Sequence, residues 1–217
     1  MFVELLDKLR CPNPHEDFPL VATSSRTVDR RIIEGVLGCP ACGAEYPIQG
    51  GAVAFGGEIA RPPLASAGGV ARPLSTIAPG DEATVRLAAL LGLDERGGVY
   101  VLDYSSARFT PRLAELAPAA QFIVVSGGDE IEGAGIVLRG RGRVLPLARG
   151  CARGIALDDD GDDLLRSAVA ALAPGGRLVA PAAAALPDGI QLLAKDDDQW
   201  VGEREAIPVL SALRRAP

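Results

Sequence analysis

Residues 154–180 read GIALDDDGDDLLRSAVAALAPGGRLVA. Residues 154–157 are a short apolar run of strand character. Asp162 and Asp163 then open a helix, where acids complement the positive end of the helix dipole. Leu165, Ala168, Val169 and Leu172 fall on one face at helical spacing. Pro174-Gly175-Gly176 is expected to stop that helix, and residues 177–180 (RLVA) to form the next strand. A strand, an amphipathic helix and a second buried strand make one unit of a parallel sheet with helices packed on it.

The same alternation extends upstream. Residues 81–92 suit a helix with acids at its start and Gly92 at its end. Residues 98–103 (GVYVLD) form a buried strand, and Thr110-Pro111 begins a helix through Leu116. Residues 121–126 and 135–138 supply two further strands, and two more are expected around 189–194 and 206–210. The predicted fold is α/β, a doubly wound, mostly parallel sheet. No internal repeat is visible.

The first fifth of the chain is different. Residues 2–9 read as a short amphipathic helix, 18–24 and 31–37 as strands, and 44–55 as strand, glycine turn and strand. Cys11-Pro-Asn-Pro-His15 stands opposite Cys39-Pro-Ala-Cys42. Two loops that each offer two N or S ligands can surround a tetrahedral zinc ion, so Cys11, His15, Cys39 and Cys42 are the predicted metal ligands. The alternative is a reduced or redox pair at Cys39 and Cys42. A redox pair normally opens a helix after a strand, whereas Tyr46-Pro47-Ile48 is strand-like, and zinc is preferred. With four protein ligands and no free position the site reads as structural, the kind of staple that a module of about fifty residues needs. Residues 56–80 are rich in Gly, Pro, Ala and Ser, which marks a linker. The expected organisation is a zinc ribbon over 1–56, a linker over 57–80 and an α/β domain over 81–217.

The chain of 217 residues carries a net charge of −6, which argues against nucleic acid as its main partner. Residues 1–10 lack the apolar core of a secretory signal, and no later run approaches a membrane span. The cytoplasm is the expected location, although peripheral attachment to a membrane complex would leave no such trace. Three of the four cysteines lie in the ribbon and Cys151 stands alone. With a single histidine, already placed at the metal site, no Ser–His–Asp or Cys–His catalytic set is available elsewhere.

Residues 5–12 (LLDKLRCP) and 35–55 (GVLGCPACGAEYPIQGGAVAF) resemble the small zinc-ribbon protein that activates tRNA, rRNA and release-factor methyltransferases. His15 departs from that family, which typically has cysteine there. The resemblance implies a ribbon that covers an apolar surface on a methyltransferase. Residues 85–106, 143–159 and 165–181 resemble a class I methyltransferase that uses S-adenosylmethionine (SAM). For that family the resemblance implies an acid at the end of the first strand, then a glycine-rich loop, a second acid for the ribose and a third beside the adenine. Asp103 matches the first acid, but Tyr104, Ser105, Ser106 and Ala107 follow it with no glycine. Asp129 or Glu130 comes late for the ribose, and Arg141 stands where the adenine acid is expected. SAM is therefore not expected to bind.

The leading expectation is a non-catalytic, methyltransferase-like accessory, scaffold or assembly subunit with structural zinc and a protein partner. An active SAM-dependent methyltransferase is the first alternative. The second is a regulatory module binding another anion through Arg139, Arg141, Arg143, Arg149 and Arg153, expected near the pocket mouth. Asp158-Asp159-Asp160 with Asp162 and Asp163 reads as helix-dipole complement rather than metal site, Asp196–Asp198 as a hairpin tip, and Trp200 as a packing residue.

Overall fold

Alternate residues of the central strands are apolar on both sides, so both faces of the sheet require cover. The computed structural model describes residues 1–55, 80–125, 131–139, 144–158 and 160–206. Its described strands are β1 (Val21–Val28), β2 (Arg31–Gly38), β3 (Glu45–Gln49), β4 (Ala52–Ala54), β5 (Gly98–Leu102), β6 (Ala120–Val125), β7 (Ala134–Arg139), β8 (Ala152–Ala156), β9 (Leu172–Pro181), β10 (Ile190–Lys195) and β11 (Gln199–Arg204). The described α-helices are α1 (Asp81–Leu91), α2 (Thr110–Leu116) and α3 (Asp162–Ala171). All the strands join one sheet, in the order β1-β2-β3-β4-β7-β6-β5-β8-β9-β11-β10.

From β7 to β9 neighbouring strands run parallel, and the order reverses between β5 and β8. β11 lies antiparallel between β9 and β10. This is the expected doubly wound, class I methyltransferase-like Rossmann arrangement. On one face Leu87 and Leu91 of α1 and Leu113 of α2 pack on Tyr100, Leu102, Phe122 and Val179. On the other, Leu165, Ala168 and Ala171 of α3 pack with Val99, Val101, Ile123, Ile136 and Ile155.

Among the described residues α3 is the one α-helix packed on that second face, and the N-terminal segment adds to its cover. The short helix expected over residues 2–9 is a 3-10 helix, Val3–Lys8. Its Leu5 is fully buried against Gly135 of β7, whose missing side chain leaves the space: a Cβ there would lie 2.5 Å from Leu5 Cδ1. Phe2 donates its amide to the Gly135 carbonyl, and Ala148 donates to Lys8. Met1, Leu5 and Leu9 share one apolar cluster with Ile48, Val53, Ile136, Leu138 and Leu147.

The antiparallel strands β1–β4 continue the same sheet. β4 pairs parallel with β7 in the register Ala52–Val137, Val53–Leu138 and Ala54–Arg139. The N-terminal strands thus join the α/β part by strand addition at the β7 edge.

Several boundaries differ from expectation. β1 runs on to Val28 because Asp29 and Arg30, at φ 46° and 63°, make a tight hairpin turn with Arg31 opposite Val28. Pro174-Gly175-Gly176 does not separate helix from strand. It forms a bulge within β9, with Leu172 opposite Ala152 and Arg177 opposite Gly154. The last described strand is Gln199–Arg204, and the strand expected at 206–210 lies, except Ala206, outside the described residues. The Asp196 carboxylate accepts the amides of Asp198 and Gln199, closing the hairpin immediately before Trp200. Trp200 is buried and donates its indole N–H to Ala184. The expected linker, except Gly80, lies outside the described residues.

A Leu5→Ala substitution should lower the unfolding free energy of the metal-loaded protein by about 2–5 kcal/mol, the usual cost of a core cavity. Urea denaturation checks this. A change within about 0.5 kcal/mol, as for a surface site, would mean that the N-terminal segment only rests on the domain.

Candidate metal centre and the crevice of the sheet

Cys11 and His15 lie on the loop that leads into β1, and Cys39 and Cys42 on the knuckle between β2 and β3. The knuckle is tight: Gly43 donates its amide to the Cys39 carbonyl, and Cys39 donates to Ala44. Gly43 supplies the left-handed turn, at φ 70°. The first loop is closed by the bridge of Arg10 with Pro19, the Cys11 amide on the Phe18 carbonyl, and the ion pair of Arg10 with Asp17 at 3.0 Å.

These loops bring all four predicted ligand atoms within 4.8 Å of one another. Cys11 Sγ is 3.7 Å from Cys42 Sγ, and Cys39 Sγ is 3.4 Å from His15 Nε2. Around a tetrahedral zinc ion, bond lengths of about 2.3 Å to sulfur and about 2.05 Å to nitrogen put ligand atoms about 3.8 Å and about 3.6 Å apart. The cluster therefore has the size and donor set to hold such an ion. His15 completes the ring of ligands with the three cysteines.

The surrounding groups orient the ligands. His15 Nδ1 lies 2.6 Å from the Glu16 carbonyl, which fixes Nδ1 as the protonated nitrogen and leaves the Nε2 lone pair for a metal. The Asn13 amide donates to Cys42 Sγ at 3.4 Å, and the Tyr46 hydroxyl lies 3.1 Å from Cys11 Sγ. Cys42 is pulled down to about 6, first by the Ala44 amide and then by Asn13, while burial pushes Cys11 up. The two thiols face each other, so the first proton leaves from Cys42. Burial also raises the Tyr46 hydroxyl, which stays protonated and able to donate.

In doubly wound sheets, ligands bind beyond the carboxyl ends of the strands where the order reverses, here between β5 and β8. Asp103, just past β5, is buried. Its carboxylate accepts the amide of Tyr104 at 2.8 Å and that of Asp158 at 3.2 Å. The Ser105 amide donates to Asp158 Oδ2 at 2.5 Å, and its hydroxyl donates to the other Asp158 oxygen. The amides of Ser106 and Ala107 both turn back to the Asp103 carbonyl. The backbone donors of all four residues after Asp103 are thus used inside the protein, and Ser105 is tied across the crevice to the loop after β8.

Several residues behave differently from expectation. Ala107 does not stand in the crevice: it is buried among Ala52, Val124, Ala134 and Val137. Asp158 is no helix-dipole complement; that role falls to Asp162 and Asp163 in the first turn of α3. Its tie to Ser105 had no signal in an unbroken run of acids. Asp129, Glu130, Arg141, Arg143 and Asp159 lie outside the described residues. Arg153 is not at the crevice. Its guanidinium grips both carboxylate oxygens of Asp94, at 2.7 and 2.9 Å, and the Gly97 carbonyl, all before β5 at the opposite end of the sheet. Arg149 sits in the turn before β8, also at that end. No helix among the described residues is long and apolar enough to cross a membrane.

No family model and no curated protein matches the sequence. Among solved structures, the chain is similar to the antibiotic-resistance methyltransferase Kmr, with a TM-score of 0.40 and 16% identity over 57% of this chain and 93% of that one. It is similar to an S-adenosyl-L-methionine methyltransferase from Silicibacter pomeroyi, with a TM-score of 0.38 and 16% identity over 56% of this chain and 88% of that one. A probable spermidine synthase from Corynebacterium glutamicum gives a TM-score of 0.35 and 14% identity over 77% of this chain and 61% of that one. These are likenesses of general architecture, and the fold assignment rests on the strand order itself.

In protein stripped of metal by a chelator, iodoacetamide should label Cys42 first. Because the thiolate is the nucleophile, the rate should rise through about pH 6 and level off above it. Cys151, pushed up by burial, should react slowly. Peptide mapping across a pH series checks both, and added zinc should suppress the Cys42 reaction.

Proposed function

We propose that this protein is a non-catalytic, methyltransferase-like accessory subunit, whose ribbon holds one structural zinc ion and whose SAM crevice is closed. The single observation that carries this reading is the internal saturation of the loop after β5. A SAM carboxylate placed there would find the amides of Tyr104, Ser105, Ser106 and Ala107 already bonded to Asp103 and Asp158. It would also meet the Asp158 carboxylate, which repels another anion. Displacing Ser105 from Asp158 gives up hydrogen bonds to a charged group, each worth about 1.5–3 kcal/mol. Two such losses correspond to about two to four decades of affinity.

With the crevice closed, the role that remains is contact with other proteins, in an assembly that uses the fold as a scaffold. The zinc is structural in this reading because the four side chains leave no position for substrate or water. An active methyltransferase remains the competing reading, favoured by the intact order of strands around β5 and β8.

Titration calorimetry with SAM and with S-adenosylhomocysteine separates the two. The expected result is no saturable binding at micromolar ligand. Micromolar affinity, or SAM carried through purification, would restore the enzyme. Elemental analysis should find one zinc per chain, and a Cys39→Ser, Cys42→Ser double variant should lose both the metal and the order of residues 11–48. A fully stable double variant would remove the structural role from the cluster.

A further inference from the structure

Two routes lead from Cys11 to the α/β part of the molecule. One is the chain itself: the preceding Arg10 donates its amide to Pro146 at 2.9 Å, and Leu9 bridges Leu147. The other runs through side chains. The Tyr46 hydroxyl lies 3.1 Å from Cys11 Sγ, and the Tyr46 ring packs on Phe55, with centroids 4.6 Å apart at 36°. The Phe55 amide then donates to the Arg139 carbonyl at 3.1 Å, extending the pairing of β4 with β7 by one residue. Both rings are buried.

We infer that Tyr46 couples the metal centre to the seam between ribbon and α/β sheet, holding Cys11 by its hydroxyl and Phe55 by its ring. The inference rests on the reading that the cluster of Cys11, His15, Cys39 and Cys42 holds a metal. Tyr46 is a positioning residue, since it acts on the metal through Cys11. A phenol donating to a metal-bound thiolate makes a charge-assisted bond. That bond draws electron density from the sulfur, orients it, and is lost when the hydroxyl is removed. Neighbours of this kind typically contribute about ten- to a hundred-fold in metal affinity. The ring makes the second half of the coupling: with Cys11 held, Tyr46 is held, and Phe55 is pressed into register beside Arg139.

The test uses the full chain, with zinc and cobalt(II) as probes. Tyr46→Phe removes the hydroxyl and keeps the ring. Competition against a chromophoric chelator should show zinc affinity lowered about ten- to a hundred-fold. In the cobalt form, the thiolate-to-cobalt charge-transfer band should move to longer wavelength, because the sulfur has lost a hydrogen-bond donor. A purely structural role for Tyr46 would leave that band in place. A second measurement needs no variant. Chelating the metal from the wild-type protein should speed amide hydrogen exchange at Phe55 and at residues 134–139, while β9 and β11 keep their protection.

Unchanged zinc affinity together with an unchanged band in Tyr46→Phe overturns the inference and leaves the metal reading standing. So does exchange on chelation that is confined to residues 11–48, and this second result decides the matter if the variant does not fold. Wild-type protein that takes up neither zinc nor cobalt overturns the metal reading and this inference with it.

Discussion

The parallel pairing of β4 with β7 is the contact on which the rest of the molecule depends. Without it β7 would be an edge strand with open hydrogen-bonding groups, a surface that proteins normally cover or blunt. Without the segment that accompanies it, Ile123, Ile136 and Leu138 would lose Leu5 and Leu9 from their cluster. The ribbon has the reciprocal need. Ile48 and Val53 are buried in the same cluster, and a module of that size has little core of its own. Each part supplies apolar surface that the other lacks.

The metal cluster stands next to this seam. Cys11 follows directly on the segment that lies along Pro146, Leu147 and Ala148, and the knuckle of Cys39 and Cys42 opens β3, the partner of β4. Metal binding energy in a small ribbon is folding energy. An ion held by Cys11, His15, Cys39 and Cys42 would act at the boundary between two parts of one sheet. At the carboxyl end of the parallel strands, Ser105 is bonded to Asp158, and the Asp103 carboxylate accepts the Asp158 amide.

What was legible in the sequence followed from scarce residue types and strong periodicity. One histidine and three early cysteines left little freedom for the ligand set, and the alternation of short apolar runs with amphipathic stretches placed the central strands and helices. The seam was not legible, because β4 is only Ala52-Val53-Ala54 and nothing in three small apolar residues names a partner strand. The tie of Ser105 to Asp158 was hidden for a related reason: in a run of acids, position in space decides which one bonds. Arg153 was misplaced because an arginine in an apolar strand can serve either end of the sheet. Its pairing with Asp94 is accompanied by the turn at Gly97 and Gly98, where positive φ lays the backbone against the Arg153 stem and the Gly97 carbonyl accepts from its guanidinium.

The central claim is that ribbon and α/β part form one sheet in cis, and cutting the chain between them tests it most directly. A protease site introduced within residues 57–79 would allow metal-loaded protein to be cleaved and passed over a sizing column in native buffer. The account predicts that residues 1–55 and the C-terminal fragment elute together as one species and separate only on denaturation. Two folded, soluble fragments that elute independently would contradict it.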